Sequence, residues 1–344
     1  MMKIAVDAMG GDNAPQAIIE GVEQARDQFD DIEFQLYGNP AKVKPLIKNN
    51  DRLTVIETTE EIAMGEEPVR AIRKKKDSSI VRAAKAVKDG EADAFFSAGN
   101  TGAVLAAGIF VVGRIKGIDR PGLTSILPIT KPGSDRKSFV YLDSGANAES
   151  KERNLVQYGY LGKFYAENVL KVENPRVALL NNGAEEDKGD KLHKAVWQDL
   201  NNEKDLNFVG NIESGDLLFG KADVVVSDGW TANAALKATE GTAKMMLTLI
   251  RHGIMNGGLR AKLGYLFLKS VFHQIGKKMN TSTYGGAVLL GLKAPVVKTH
   301  GASDAAAVKN TISQIRTMLT SGVIDKTVEF FSQESLVDKK EENE

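Results

Sequence analysis

The chain has 344 residues, 42% of them hydrophobic and 26% charged, enough to bury a large core in one big α/β unit or in two lobes. It has no cysteine, which excludes disulfides, thiolate metal ligands and a cysteine nucleophile; its 45 basic residues balance its 45 acidic ones, which excludes an overall field that would gather nucleic acid. No apolar run approaches the ~18 residues of a membrane-spanning helix, and Met1-Met2-Lys3-Ile4 enters a strand with no secretory leader, so a cytoplasmic globule is expected.

Ile4 to Asp7 reads as a strand, and in the turn after it, Ala8-Met9-Gly10-Gly11-Asp12-Asn13, Asp12 or Asn13 can cap a helix from about Pro15. Ile32 to Tyr37 alternates apolar and polar residues and stops at Gly38-Asn39-Pro40, and Leu53 to Ile56 is a further short strand. The segment Glu66 to Lys76 and a helix through Lys88 lead to Asp93–Phe110, around which the chain is organised. There a buried aromatic run meets Ser97-Ala98-Gly99-Asn100-Thr101-Gly102 and then small apolar residues at helical spacing. Such a turn lets the backbone approach a phosphate, while unpaired N–H groups at the helix start point towards it.

Ser125 to Thr130 and Ser138 to Asp143 read as a hairpin joined through Lys131–Arg136, which makes the sheet mixed. Three more polar turns follow strands: Asp143-Ser144-Gly145-Ala146-Asn147, Asn181 to Gly189 after Arg176–Leu180, and Asp228 to Asn233 after Ala222–Ser227. In an open α/β sheet the loops beyond the strand C-termini share one edge, so these five turns predict one composite polar pocket.

Farther on, Lys244–His252 and Leu259–Phe272 read as helices around a turn at Gly253–Gly258. Leu259, Leu263, Leu266, Phe267 and Val271 fall on one stripe, with Arg260, Lys262 and Lys269 at other positions. That face suits an anionic membrane interface or a contact with the body or a second subunit. Tyr284-Gly285-Gly286, a last strand at Val296–Gly301 and a helix from about Ser303 complete one unit over 1–334, with 241–278 as an inserted hairpin and 335–344 as a solvated tail.

The four His residues form no ligand cluster, so no metal site is expected, and no Gly-x-Ser-x-Gly, Walker or Gly-x-Gly-x-x-Gly sequence is present. What remains is a set of backbone donors, amides and Lys188, which suits a nucleophile arriving from outside. Orthophosphate is already ionised at neutral pH and needs only to be held in line with an acyl carbon whose developing oxyanion is stabilised. Lys188 can neutralise phosphate charge or lie solvated in its loop; Asn233 can donate to the oxyanion or cap its helix. Arg70, Arg73, Lys74, Lys75 and Lys76 form the densest basic run, either a docking face for an acidic partner or a solvated helix face.

Met2 to Pro15, Ser78-Ser79, Ser97 to Ala103, Gly113-Arg-Ile-Lys-Gly-Ile-Asp-Arg-Pro121 and Tyr284-Gly-Gly together resemble the bacterial acyl-acyl carrier protein:phosphate acyltransferases over nearly the whole chain. The resemblance implies a homodimeric three-layer α/β/α sandwich with a mixed, mostly parallel sheet, related to isopropylmalate dehydrogenases, with a protruding helical hairpin. It implies formation of acyl phosphate from acyl carrier protein thioester and inorganic phosphate, with no cofactor. It further implies peripheral attachment to an anionic membrane and hand-over to a membrane glycerol-3-phosphate acyltransferase. By motif, Lys188 and Asn233 are the catalytic pair; Gly10, Gly11, Asn100, Thr101 and Gly102 are expected to hold phosphate and the basic run 70–76 the carrier. Leu259, Leu263, Leu266 and Phe267 are expected to meet the membrane. The connection Lys131–Lys137 is longer than the pattern. Two other classes stay open: a metal- and nicotinamide-dependent decarboxylating dehydrogenase of related fold, and a non-catalytic membrane scaffold.

Overall fold

Apolar runs too short for helices and punctuated by glycine turns assemble into one sheet, with helices on both faces. The computed structural model describes residues 1–131, 133–134, 136–279 and 281–333. The expected tail at 335–344 and part of the long connection near Lys131 lie outside the described residues. The first half comprises β1 (Met2–Asp7), α1 (Gln16–Gln28), β2 (Ile32–Gly38), α2 (Pro40–Val43), β3 (Leu53–Glu57), α3 (Pro68–Lys74), α4 (Ser79–Lys88), β4 (Ala94–Ser97) and α5 (Thr101–Ala107). The second comprises β5 (Gly122–Pro128), β6 (Ser138–Leu142), α6 (Glu152–Asn168), β7 (Arg176–Asn181), α7 (Lys191–Asn202), β8 (Asn207–Glu213) and β9 (Val224–Val226). The hairpin α8 (Gly229–Asn256) and α9 (Gly258–Met279) follows, then β10 (Ala287–Leu290), β11 (Val296–Lys298), α10 (Ala305–Ser321) and α11 (Val323–Gln333).

The strand order is β3-β2-β1-β4-β11-β10-β5-β6-β9-β7-β8. Among the described residues, the β11–β10, β10–β5 and β5–β6 strand pairs are antiparallel and the other strand pairs parallel, so the sheet is mixed and mostly parallel. Alternation sets the two faces: Ile4, Val6, Phe34, Phe96 and Val140 pack with α1, α6 and α10, while Ala5, Phe95, Leu289 and Val296 pack with α4 and α5. All four residues of β4 are buried, which is why Ala94-Phe-Phe-Ser97 carries no alternation.

Three successive antiparallel pairings decide where the loops go. β1, β2, β3, β4, β5 and β11 run one way; β6, β7, β8, β9 and β10 run the other. The turns after β1 and β4 therefore lie at one edge of the sheet, and those after β6, β7 and β9 at the opposite edge. This corrects the single pocket expected from the sequence: the shared-edge rule holds within each parallel half, and the β10–β5–β6 reversal separates the halves.

Other differences are local. Residues 229–256 form one continuous helix, and neither Gly241 nor Gly253 interrupts it, although each costs about 1 kcal/mol relative to alanine. No strand is expected from the sequence at β8, whose Asn-Phe-Val-Gly-Asn-Ile-Glu pattern is broken by Gly210 at φ 90° beside a register shift in the β7 pairing.

Candidate functional site

At the first edge, a buried carboxylate at the end of β1 shapes the turn that follows it. Asp7 Oδ1 accepts the Met9 and Gly10 N–H groups at 3.1 Å each, and Oδ2 accepts the Ser97 hydroxyl at 2.6 Å. Burial pushes the Asp7 carboxyl up, against the hydroxyls of Ser79 and Ser97 and the two N–H groups. Ser97 Oγ in turn accepts the Gly99 N–H at 2.9 Å, so one carboxylate sets two neighbouring turns. These approach so closely that a Cβ on Gly10 would lie 2.8 Å from Gly99 Cα. The loop after β11 closes the group: Asp12 N–H donates to Gly301 O at 2.8 Å, and Gly11 sits there at φ 113°.

Gly10, Gly11, Asn100, Thr101 and Gly102 are thus brought together. The Asn100 side chain is already occupied: Oδ1 accepts the Ala103 N–H, and Nδ2 donates to the carbonyls of Ala63, Met64 and Glu66. Among the described residues, however, the backbone N–H groups of Gly11, Asn100, Thr101 and Gly102 donate to no protein acceptor. What this edge offers an anion is backbone. Nearby, α3 packs on α5, and Arg70, Arg73, Lys74 and Lys76 are exposed. Lys75 is not free for a partner; it pairs with Glu66 at 2.7 Å and donates to Glu61 O. That ammonium holds the Glu66 carboxyl below its usual range.

At the second edge, Asp143 does for its turn what Asp7 does for the other. Its carboxylate accepts the N–H groups of Leu123, Gly145, Ala146 and Asn147 and the Asn147 amide at 2.8–3.0 Å. Burial pushes this carboxyl up as well, against those donors. Asn233, in the second turn of α8, lies against this turn: a Cβ on Gly145 would sit 3.3 Å from Asn233 Cγ. Lys188 is in the loop after β7, exposed, with Nζ 3.9 Å from Glu185 Oε2. Asn233 does not cap its helix, because Asp228 holds that position and accepts from Trp230 and Thr231. Lys188 and Asn233 therefore share the second edge, but the five expected phosphate residues are on the first.

Sequence reasoning missed the residue that ties the two second-edge loops together. His193, 8% exposed, places Nδ1 2.7 Å from Asp190 Oδ1 and Nε2 3.5 Å from Asp228 Oδ2, so it links the cap of α7, two residues after Lys188, to the cap of α8. A caping aspartate followed three residues later by a histidine was the available signal. Asp7 and Asp143 were also legible, each as a carboxylate ending an apolar strand immediately before a glycine turn.

Beyond the body, the hairpin displays Leu259 and Phe267 at 75% and 84% exposure, with Leu263 and Leu266 also exposed. No helix among the described residues is long and apolar enough to cross a membrane.

Residues 2–326 match the family model described as fatty acid synthesis protein. The chain is 81% identical over 343 residues to a phosphate acyltransferase of Limosilactobacillus reuteri, with all of both chains covered. It is 57% identical over 349 residues to one of Lactiplantibacillus plantarum, again covering both. Among solved structures it is similar in fold to a branched-chain phosphotransacylase from Enterococcus faecalis, with a TM-score of 0.59 at 14% identity, covering 93% of this chain and 100% of that one. A phosphotransacetylase from Streptococcus pyogenes gives a TM-score of 0.55 at 17% identity, covering 92% and 94%.

Proposed function

The chain belongs to the phosphate acyltransferase family, and on that premise we propose that it transfers an acyl group from acyl carrier protein to inorganic phosphate, for phospholipid synthesis. A phosphate oxygen attacks the thioester carbonyl, the carbon–oxygen bond forms, the carbon–sulfur bond breaks, and the carrier's thiol departs. Asn233 donates to the tetrahedral oxygen, and Lys188 offsets phosphate charge. The reading is carried by the placement of Lys188 and Asn233 at one edge, with the helix caps beside them, Asp190 and Asp228, joined through His193. Without any cysteine, direct attack by phosphate also matches the side chains available.

Phosphate itself is held by the free N–H groups of Gly11, Asn100, Thr101 and Gly102. Strand polarity keeps that cradle away from Lys188 within one chain, so the site is completed in a homodimer, each copy lending its second edge to the first edge of its partner. The acidic carrier docks on Arg70, Arg73, Lys74 and Lys76, beside the cradle. The apolar hairpin rests on an anionic membrane, from which acyl phosphate passes to a membrane glycerol-3-phosphate acyltransferase. The names of the curated relatives favour this reading over a dehydrogenase or a scaffold.

The test is to incubate the protein with acyl-carrier thioester and phosphate and measure free thiol and hydroxylamine-reactive acyl phosphate. Equal amounts of both are expected. Neither product, or a nicotinamide-dependent absorbance change in their place, would overturn the assignment.

A further inference from the structure

The cradle at the first edge lacks a cation in its own turns, and one stands beside it. Lys298 ends β11 in register with Ser97, and the next residues run into the Gly301 loop that touches Gly11 and Asp12. Two residues after Val296, it shares the sheet face that α5 covers, which is the face from which Thr101 and Gly102 arise. It is half-buried and forms no ion pair or side-chain hydrogen bond among the described residues. Burial pushes the ammonium down, and only Asp12, in the neighbouring turn, pulls it the other way. Burying an ammonium without a counter-ion is costly, and a bound anion would repay that cost. Backbone donors alone, conversely, leave a phosphate's charge uncompensated.

We infer that Lys298 and the free N–H groups of Gly11, Asn100, Thr101 and Gly102 form one site for a phosphate group, with the lysine supplying its charge. This rests on the acyl phosphate reading above for the identity of the ligand: either orthophosphate or the phosphodiester of a phosphopantetheine arm. It adds a binding residue distinct from Lys188, which stands at the opposite edge.

Isothermal titration of the full chain with inorganic phosphate reads the site without turnover. For an orthophosphate site, Lys298→Met and Lys298→Gln should each weaken binding at least about tenfold, and Lys298→Arg should keep it within about threefold of wild type. The KM for phosphate should follow, with the carrier KM unchanged. For a phosphodiester site, phosphate binding stays constant, while the KM for acyl carrier rises about tenfold and that for acyl-pantetheine, which lacks the phosphate, does not. If neither pattern is found in variants that melt within a few degrees of wild type, the inference is refuted. Should the neutral variants not fold, loss of phosphate-induced thermal stabilisation in Lys298→Arg would refute it as well. Lys298-dependent phosphate binding without acyl phosphate formation would refute the activity and leave the site standing.

Discussion

Mixing two inactive variants tests whether the site is shared between copies. Across a strand such as β6, five residues long, the two edges are about 16 Å apart at ~3.3 Å per residue, whereas attack needs the phosphate oxygen within about 3.5 Å of the acyl carbon. One chain cannot close that gap while its sheet is intact. Gly11→Ala places a Cβ 3.1 Å from Gly301 O at φ 113°, costing about 1–3 kcal/mol locally and distorting the cradle. Lys188→Ala removes an exposed side chain from the other edge and leaves the packing untouched. Each variant alone should be nearly inactive. Equal amounts, unfolded and refolded together, give about half mixed dimers, in which one of two sites carries neither substitution. Thiol release should return to about a quarter of the wild-type rate. A mixture that forms mixed dimers by native mass spectrometry yet stays at the level of its parents would refute the shared site.

In the wild-type background, Lys188→Ala and Asn233→Ala should each lower kcat at least about 100-fold, in steady-state thiol release, with melting temperatures preserved; losses under threefold would remove the pair from the chemistry. Leu259→Glu or Leu263→Glu should abolish cosedimentation with anionic vesicles and leave soluble turnover intact; loss of the dimer in place of vesicle binding would assign that face to the partner subunit. Asp223, buried at the start of β9, accepts from Arg176 Nε at 3.0 Å and pairs with Arg136. Burial opposes ionisation there, yet the two guanidinium groups hold the carboxyl below its usual range. Its stabilising contribution is therefore present above about pH 4 and lost as pH falls through the depressed value. Asp223→Asn should cost about 2–3 kcal/mol at pH 7 by urea denaturation, with the deficit shrinking below pH 4; a deficit constant with pH would refute the ion-pair account.

Much of the fold was legible because its strands are short apolar runs punctuated by Gly, Asn and Asp: β1, β2, β3, β4, β6, β7 and β9 all announce themselves this way. The five turns were legible for the same reason. Their arrangement was not, because polarity is set by pairings distant in sequence. β10, four residues long and following the hairpin, is antiparallel to both β11 and β5 and so leaves those two running the same way; with that pairing fixed, the β5–β6 reversal sends the Lys188 and Gly11 turns to opposite edges. Roles inside the turns were similarly hidden. Asn100 offered an amide on paper, but the loop at 63–66 consumes it, whereas the strand-end carboxylates Asp7 and Asp143 hold the turns in shape. Lys75 belongs to a basic run in sequence and to Glu66 in space.

Direct attack by phosphate on the thioester is tested most sharply by rapid quenching of enzyme mixed with excess acyl-carrier thioester in phosphate-free buffer. We expect no burst of thiol and no acyl group on the polypeptide, with thiol and acyl phosphate then rising together once phosphate is added. A burst of thiol equal to the enzyme concentration before phosphate arrives, with the acyl group bonded to the protein, would contradict it.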